Sequence, residues 1–122
     1  MKRCLFVDDS SVIRKVARRI LADSGLLMIE AGAGRDAIEM CAEQMPEFIV
    51  VDNSLPDMPV EEFIRTVRSI ASPIRPRIAL CTAEMDIGAI MRAKRAGADS
   101  YMLKPFNRTQ LLEGFRSFSA AA

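Results

Sequence analysis

The chain has 122 residues, half of them apolar, with 17 basic and 16 acidic side chains that nearly cancel. Such a length suits one domain with one sizeable core, and the balanced charge excludes the broad basic footprint of a nucleic-acid binder, so no direct DNA binding is expected. With no His in the sequence, His-ligated zinc, His general bases and Ser-His-Asp triads are excluded, and any metal must be held by oxygen.

Short apolar runs alternate with stretches of helical period along the whole chain. Strand one is read at Arg3 to Val7. Helix one runs from Ser11 to Asp23, with Val12, Ile13, Val16, Ala17, Ile20 and Leu21 in one stripe, Ser10 or Ser11 as cap and Gly25 as stop. Strand two, Leu27 to Ala31, carries the weakest pattern. Helix two spans Arg35 to Gln44, with Pro46 beyond its end, and strand three is Phe48 to Val51. A loop from Asn53 to Met58 leads to helix three, which holds Phe63, Ile64, Val67 and Ile70. Pro73 and Pro76 bracket the turn before strand four, Arg77 to Cys81. Helix four holds Ile87, Ile90 and Met91 and ends near Gly97. Strand five is Ser100 to Leu103, and helix five shows Leu111, Leu112, Phe115 and Phe118. The domain is expected to cover residues 1–119, with 120–122 as a short tail.

No apolar run approaches the ~20 residues of a transmembrane helix, and no signal-peptide pattern precedes strand one, so a cytoplasmic protein without membrane association is expected. Cys4, Cys41 and Cys81 are odd in number and widely spaced, and read as small buried hydrophobes rather than a disulfide framework. Strict alternation of this kind predicts an α/β fold: a parallel sheet covered on both faces. Five strands and five helices fit the flavodoxin-like doubly wound order 2-1-3-4-5, with a cleft between strands one and three.

Ligands of such sheets sit outside the carboxyl ends of the strands, and that is where the chemistry-bearing residues fall. Asp8 and Asp9 follow strand one, Asp52 strand three, Thr82 strand four and Lys104-Pro105 strand five. Each has a plainer reading alone. Asp8 or Asp9 would serve as a helix cap, Asp52 as a turn initiator, Thr82 as the cap of helix four and Lys104 as a solvated end. Together they are harder to dismiss. Adjacent carboxylates repel and favour a cation between them, and a hard divalent ion such as Mg²⁺ is the natural solution. A cis Lys104-Pro105 bond would aim the ammonium inward.

These pieces, taken in order, resemble a response-regulator receiver domain over nearly the whole chain, of the stand-alone, chemotaxis-regulator-like kind. The matching stretches are Val7-Asp8-Asp9-Ser10, Val51-Asp52-Asn53-Ser54-Leu55-Pro56-Asp57-Met58, Thr82-Ala83 and Tyr101-Met102-Leu103-Lys104-Pro105-Phe106. The resemblance implies a role for each residue. Asp52 is the phosphoacceptor, taking its phosphoryl group from a phosphohistidine on a sensor histidine kinase or histidine-phosphotransfer protein. Asp9 binds Mg²⁺ directly, Asp8 acts mainly through metal-bound water, and the Ser54 backbone carbonyl completes the protein's share of the shell. Lys104 pairs with phosphoryl oxygens, Thr82 and the Ala83 N–H bind the phosphoryl group, and Tyr101 is the aromatic switch that follows Thr82. The output is altered binding of a downstream protein. The chain is expected to catalyse only its own phosphorylation and dephosphorylation.

Val60 departs from the family's usual Gly. If that backbone needs positive φ, a β-branched residue is strained there, and a rearranged start to helix three is expected. An adaptor with weak or unused phosphorylation is the alternative function that this departure suggests. Asn53, Ser54 and Glu84 border the phosphorylation site and are expected to tune hydrolysis through water access. A rival signal is Gly32-Ala-Gly34-Arg-Asp-Ala37, which matches G-x-G-x-x-A, follows a strand and opens a helix. It leaves Asp8, Asp9 and Lys104 unexplained. Arg14, Lys15, Arg18 and Arg19 are placed on the outer face of helix one, and Arg92, Lys94 and Arg95 enrich helix four. Such faces are usually solvated, with partner docking as the functional version.

Overall fold

The structure is a computed structural model that describes residues 1–121, with side chains as far as Gly114. Ten elements alternate: β1 (Arg3–Val7), α1 (Ser11–Leu21), β2 (Leu27–Ala31), α2 (Gly34–Glu43), β3 (Phe48–Asp52), α3 (Val60–Ser69), β4 (Arg77–Thr82), α4 (Ile87–Ala96), β5 (Ser100–Leu103) and α5 (Arg108–Ala121). All strand pairs are parallel, in the order β2-β1-β3-β4-β5. This is the doubly wound sheet that the alternation implied.

The period of two along each strand divides the core into two layers. Leu5 and Val7 of β1, Ile49 and Val51 of β3, and Ile78 and Leu80 of β4 pack with Ala37 and Cys41 of α2, Val60, Phe63, Ile64 and Val67 of α3, and Ile90 and Ala93 of α4. The intervening residues Cys4, Phe6, Phe48, Val50, Ala79 and Cys81 face the other way, against Ala17 and Leu21 of α1 and Leu111 of α5. Central strands buried on both faces read as unbroken apolar runs. β2 and β5 lie at the sheet's edges and are partly exposed, which is why the pattern of strand two was the weakest. Each fully buried large side chain, Phe63 and Leu80 among them, contributes ~1.5–3 kcal/mol by removal from water.

Several expectations need correction. The inward stripe of α1 is narrower than read: Val12 and Val16 are 67% and 43% exposed. One helix face is enough to cover one sheet face, and Ile13, Ala17, Ile20 and Leu21 already span it. Arg14 does not stand out in solvent but folds back to pair with Glu30 of β2, and Arg18, which stays exposed, pairs with the same carboxylate. Ser10 is the cap of α1, its Oγ accepting from the Ile13 N–H at 3.3 Å.

The strain expected at Val60 is absent. No non-glycine residue among those described has positive φ. Pro59 enters the helix at φ −61°, and Val60 is an ordinary first helical residue, 2% exposed beside Phe63 and Ile64. Gly97 does need its freedom, closing α4 at φ 125° with its N–H shared between the Ala93 and Lys94 carbonyls. The α5 backbone runs as far as Ala121. The Phe115 and Phe118 side chains, and Ala122, lie outside the described residues. No helix among the described residues is long and apolar enough to cross a membrane. The three cysteines are free and buried, and burial raises their thiols, Cys41 to about 11 and Cys81 to about 12.

Candidate functional site

Four loops converge at the carboxyl edge of β1, β3, β4 and β5. Asp8 follows β1, and its N–H still reaches the Ala31 carbonyl at 3.1 Å, so the strand pairing carries this residue into the cleft. Its side chain is buried, with Oδ1 accepting from the Ser10 N–H at 2.9 Å. Asp9, one residue on, is exposed at the mouth. Asp52 ends β3 and is 7% exposed; its Oδ2 accepts from the Ser54 N–H at 3.3 Å. That bond is the turn-forming one anticipated for an Asp at this point, and the same side chain lines the cleft.

Lys104 comes from the far strand. Its N–H donates to the Thr82 carbonyl at 2.9 Å, and its peptide bond to Pro105 is cis. Its ammonium bridges two acids, 2.7 Å from Asp52 Oδ1 and 2.8 Å from Asp8 Oδ2. The buried Asp8 Oδ2 has the Lys104 ammonium as its one contact of this kind among the described residues. Asp8, Asp9 and Asp52 each offer an oxygen within 4.8 Å of the other two.

Three carboxylates against one ammonium leave this cluster formally under-neutralised. Burial raises the Asp52 carboxyl above its ordinary value, and the Asp8 charge adds to the rise, while Lys104 and the Ser54 N–H pull the other way. Burial alone would lower Lys104, but its bonds to Asp52 and Asp8 outweigh it and push the ammonium up to about 12. The ammonium therefore stays charged at any physiological pH. An all-oxygen donor set, one buried carboxylate oxygen whose partner is a shared ammonium, and a deficit of positive charge fit a hard divalent cation.

Beside the acids lies an open cleft of about 330 Å³ lined by Asp52, Asn53, Ser54, Thr82, Ala83, Glu84, Asp86 and Lys104. Thr82 does not cap α4. Asp86 does, its Oδ1 accepting from the Ala89 N–H at 3.0 Å, whereas the Thr82 hydroxyl donates to the Glu84 carbonyl at 3.2 Å. Tyr101 stands on β5 outside the cleft lining, 39% exposed.

Two contributors were missed in the sequence. Asp86 adds an acid to the cleft wall, and its sign was only that of a helix cap. Arg14 donates from Nη1 to the Asp8 carbonyl at 2.6 Å and from Nε to Glu30 at 3.0 Å. It thereby ties the acidic loop to β2. Burial acts to raise Glu30, but Arg18 and Arg14 outweigh it and hold the carboxyl below its ordinary value. An Arg in a basic helical run gives no local signal of such a tie.

A protein-family model described as the response regulator receiver domain matches residues 4–116. The chain belongs to that family. Chemotaxis protein CheY of Thermotoga maritima is 29% identical over 119 residues, covering 97% of this chain and 98% of that protein. Chemotaxis protein CheY of Bacillus subtilis is 30% identical over 112 residues, covering 91% and 92%. Among solved structures, CheY4 of Vibrio cholerae matches with a TM-score of 0.90 at 30% identity, over 97% of this chain and 98% of that one. Response regulator MprA of Mycobacterium leprae is 33% identical over 115 residues, which are 94% of this chain but 50% of that protein. This receiver is thus a response regulator of two-component signalling, and the stretches that carried the resemblance are those that the fold brings to one edge.

Proposed function

We propose that the chain is a single-domain phospho-switch in which Asp52 accepts a phosphoryl group from a phosphohistidine of a sensor histidine kinase or histidine-phosphotransfer protein. The observation that carries this reading is the position of Asp52: buried, 2.7 Å from Lys104, grouped with two further carboxylates and open to the cleft. An Asp52 oxygen attacks phosphorus as the P–N bond to the donor imidazole breaks. The electron pair leaves on the ring nitrogen, which takes a proton from solvent, and an acyl phosphate remains on Asp52. The raised pKa of Asp52 suits this role, because a more basic carboxylate is a better nucleophile. Later, water attacks the same phosphorus, the bond to Asp52 breaks, and inorganic phosphate and the free carboxylate are restored.

The carboxylates of Asp8, Asp9 and Asp52 and the Ser54 carbonyl would hold Mg²⁺, which supplies positive charge to the phosphoryl oxygens as transfer proceeds. Lys104 holds Asp52 in place before transfer and is the natural partner of a phosphoryl oxygen afterwards. Phosphorylation adds negative charge beside Thr82, and that charge competes with the Glu84 carbonyl for its hydroxyl. Turning Thr82 towards the phosphoryl group, with the Ala83 N–H as a second donor, vacates space into which Tyr101 follows. A face on α4 and β5 then presents a changed surface to a downstream protein. The chain acts on no external substrate in this scheme. The adaptor reading loses its motive, since Val60 sits in an unstrained helix start.

The test is treatment with a small phosphodonor and Mg²⁺, read by intact mass, for wild type and Asp52→Ala. Wild type is expected to gain one phosphoryl group and the variant none. An equal gain in both would remove Asp52 as acceptor.

A further inference from the structure

The Gly32-Ala-Gly34 stretch that imitates a dinucleotide fingerprint opens α2 on bare N–H groups, since its N-cap Ala33 has no side-chain acceptor. A dinucleotide site would offer those groups to a phosphate. Here they are taken by a carboxylate of the same chain. Asp57 Oδ1 accepts from the Gly34 N–H at 2.9 Å, and Oδ2 accepts from the Arg35 N–H at 2.9 Å. These two bonds, the Arg35 one first, hold the Asp57 carboxyl below its ordinary range. The next residue seals the contact. A Cβ on Gly34 would lie 2.9 Å from Met58 Sδ and 3.0 Å from its Cγ, so the Met58 side chain lies directly against the bare glycine.

The loop held in this way carries the site. Asp52 lies five residues before Asp57, and Ser54 three. At its start the loop is fixed by the Asn53 N–H, which donates to the Cys81 carbonyl at 2.8 Å. Beyond Ser54, Leu55 and Met58 pack on the core, and the Asp57 pair is the polar tie at the far end. A metal shell that uses the Ser54 carbonyl needs this backbone in one place before the cation arrives, because ordering it on binding would weaken affinity.

We propose that Asp57 is a positioning residue for the cation site: by gripping the start of α2 it fixes the 53–58 loop so that the Ser54 carbonyl and the Asp52 carboxylate are presented together. The inference rests on the Mg²⁺ reading above. It also explains the rival motif, whose helix start serves the protein's own carboxylate.

The experiment compares wild type, Asp57→Ala, Asp57→Asn and Gly34→Ala by Mg²⁺ titration calorimetry, by amide hydrogen exchange at residues 34 and 35, and by phosphorylation rate at saturating Mg²⁺. Asp57→Ala is expected to weaken Mg²⁺ binding by about tenfold, the size of effect seen when a supporting partner of a metal ligand is removed. Exchange at Gly34 and Arg35 should accelerate, while the rate at saturating Mg²⁺ stays near wild type. Asp57→Asn, which keeps one acceptor oxygen, should fall between. Gly34→Ala leaves Asp57 chemically intact and meets only the flexible Met58 side chain, so Mg²⁺ binding should stay near wild type. Faster exchange with unchanged Mg²⁺ affinity in the Asp57 variants would overturn the inference and leave a helix cap alone. No Mg²⁺ binding by wild type would remove this inference and the metal reading together.

Discussion

Two charged clusters occupy opposite ends of the same sheet. At the amino ends of β4 and β5, Asp99 pairs with Arg68 at 3.0 Å and Arg75 at 3.3 Å, and it accepts the Ile78 N–H at 2.9 Å. Arg68 spends its remaining donors on the Pro76 and Gly97 carbonyls. One carboxylate there meets two guanidiniums, and its oxygens are occupied. At the carboxyl ends the ratio is inverted: three carboxylates are grouped around one ammonium, which contacts two of them. The first cluster is a finished lock between α3, α4 and β5. The second keeps an unmet demand for positive charge, and the proposed cation binding and switching rest on that demand.

The contrast can be broken most forcefully by removing each central cation. Lys104→Met buries Asp8 and Asp52 without their partner and should cost about 3–5 kcal/mol in urea unfolding without Mg²⁺. Saturating Mg²⁺ should recover most of that loss. Arg68→Met should cost about 2–4 kcal/mol, and Mg²⁺ should recover none of it. Equal Mg²⁺ rescue of both variants would erase the distinction.

A smaller effect concerns pH. The folded-state pKa of Asp52 is raised, so its contribution favours the fold below the ordinary Asp range and is lost as pH rises through the raised value. At pH 7 the ionised carboxylate is then a cost. Asp52→Asn should raise the thermal midpoint at pH 7 without Mg²⁺ by about 2–5 °C. The difference should vanish in acid, below the ordinary Asp range, and Mg²⁺ should stabilise wild type more than the variant. A lower midpoint at pH 7 would mean that the bond to Lys104 outweighs burial and the Asp8 charge. The smallest effect belongs to Arg75, whose side chain is 63% exposed. Arg75→Ala should change stability by no more than about 0.5 kcal/mol, because solvent screens such a pair and Arg68 still holds Asp99.

Much of this was legible in the chain. Arg3–Val7, Leu27–Ala31 and Ser100–Leu103 fell where their apolar runs placed them, because a strand's period of two and its flanking turns are local properties. The errors have a common form. Val12 and Val16 were assigned inward because helical period marks an arc without saying how wide a face the neighbours cover. Arg14 was placed outward because its acceptors, the Asp8 carbonyl and Glu30, belong to other elements. Asp57 was passed over because its partners lie in another helix start, where the glycines pointed to a foreign phosphate instead.

By itself, then, the sequence determined the order of elements, a parallel sheet covered on both faces, and the all-oxygen character expected of any metal shell. Those follow from backbone period and from which side chains exist at all. Only the tertiary structure decided that Lys104 bridges Asp8 and Asp52, that Arg14 and Asp57 brace the two loops beneath the site, and that Asp99 is fully matched while the acids at the opposite edge are not. Coulomb and hydrogen-bond energies depend on distance through space, which no local pattern along the chain encodes.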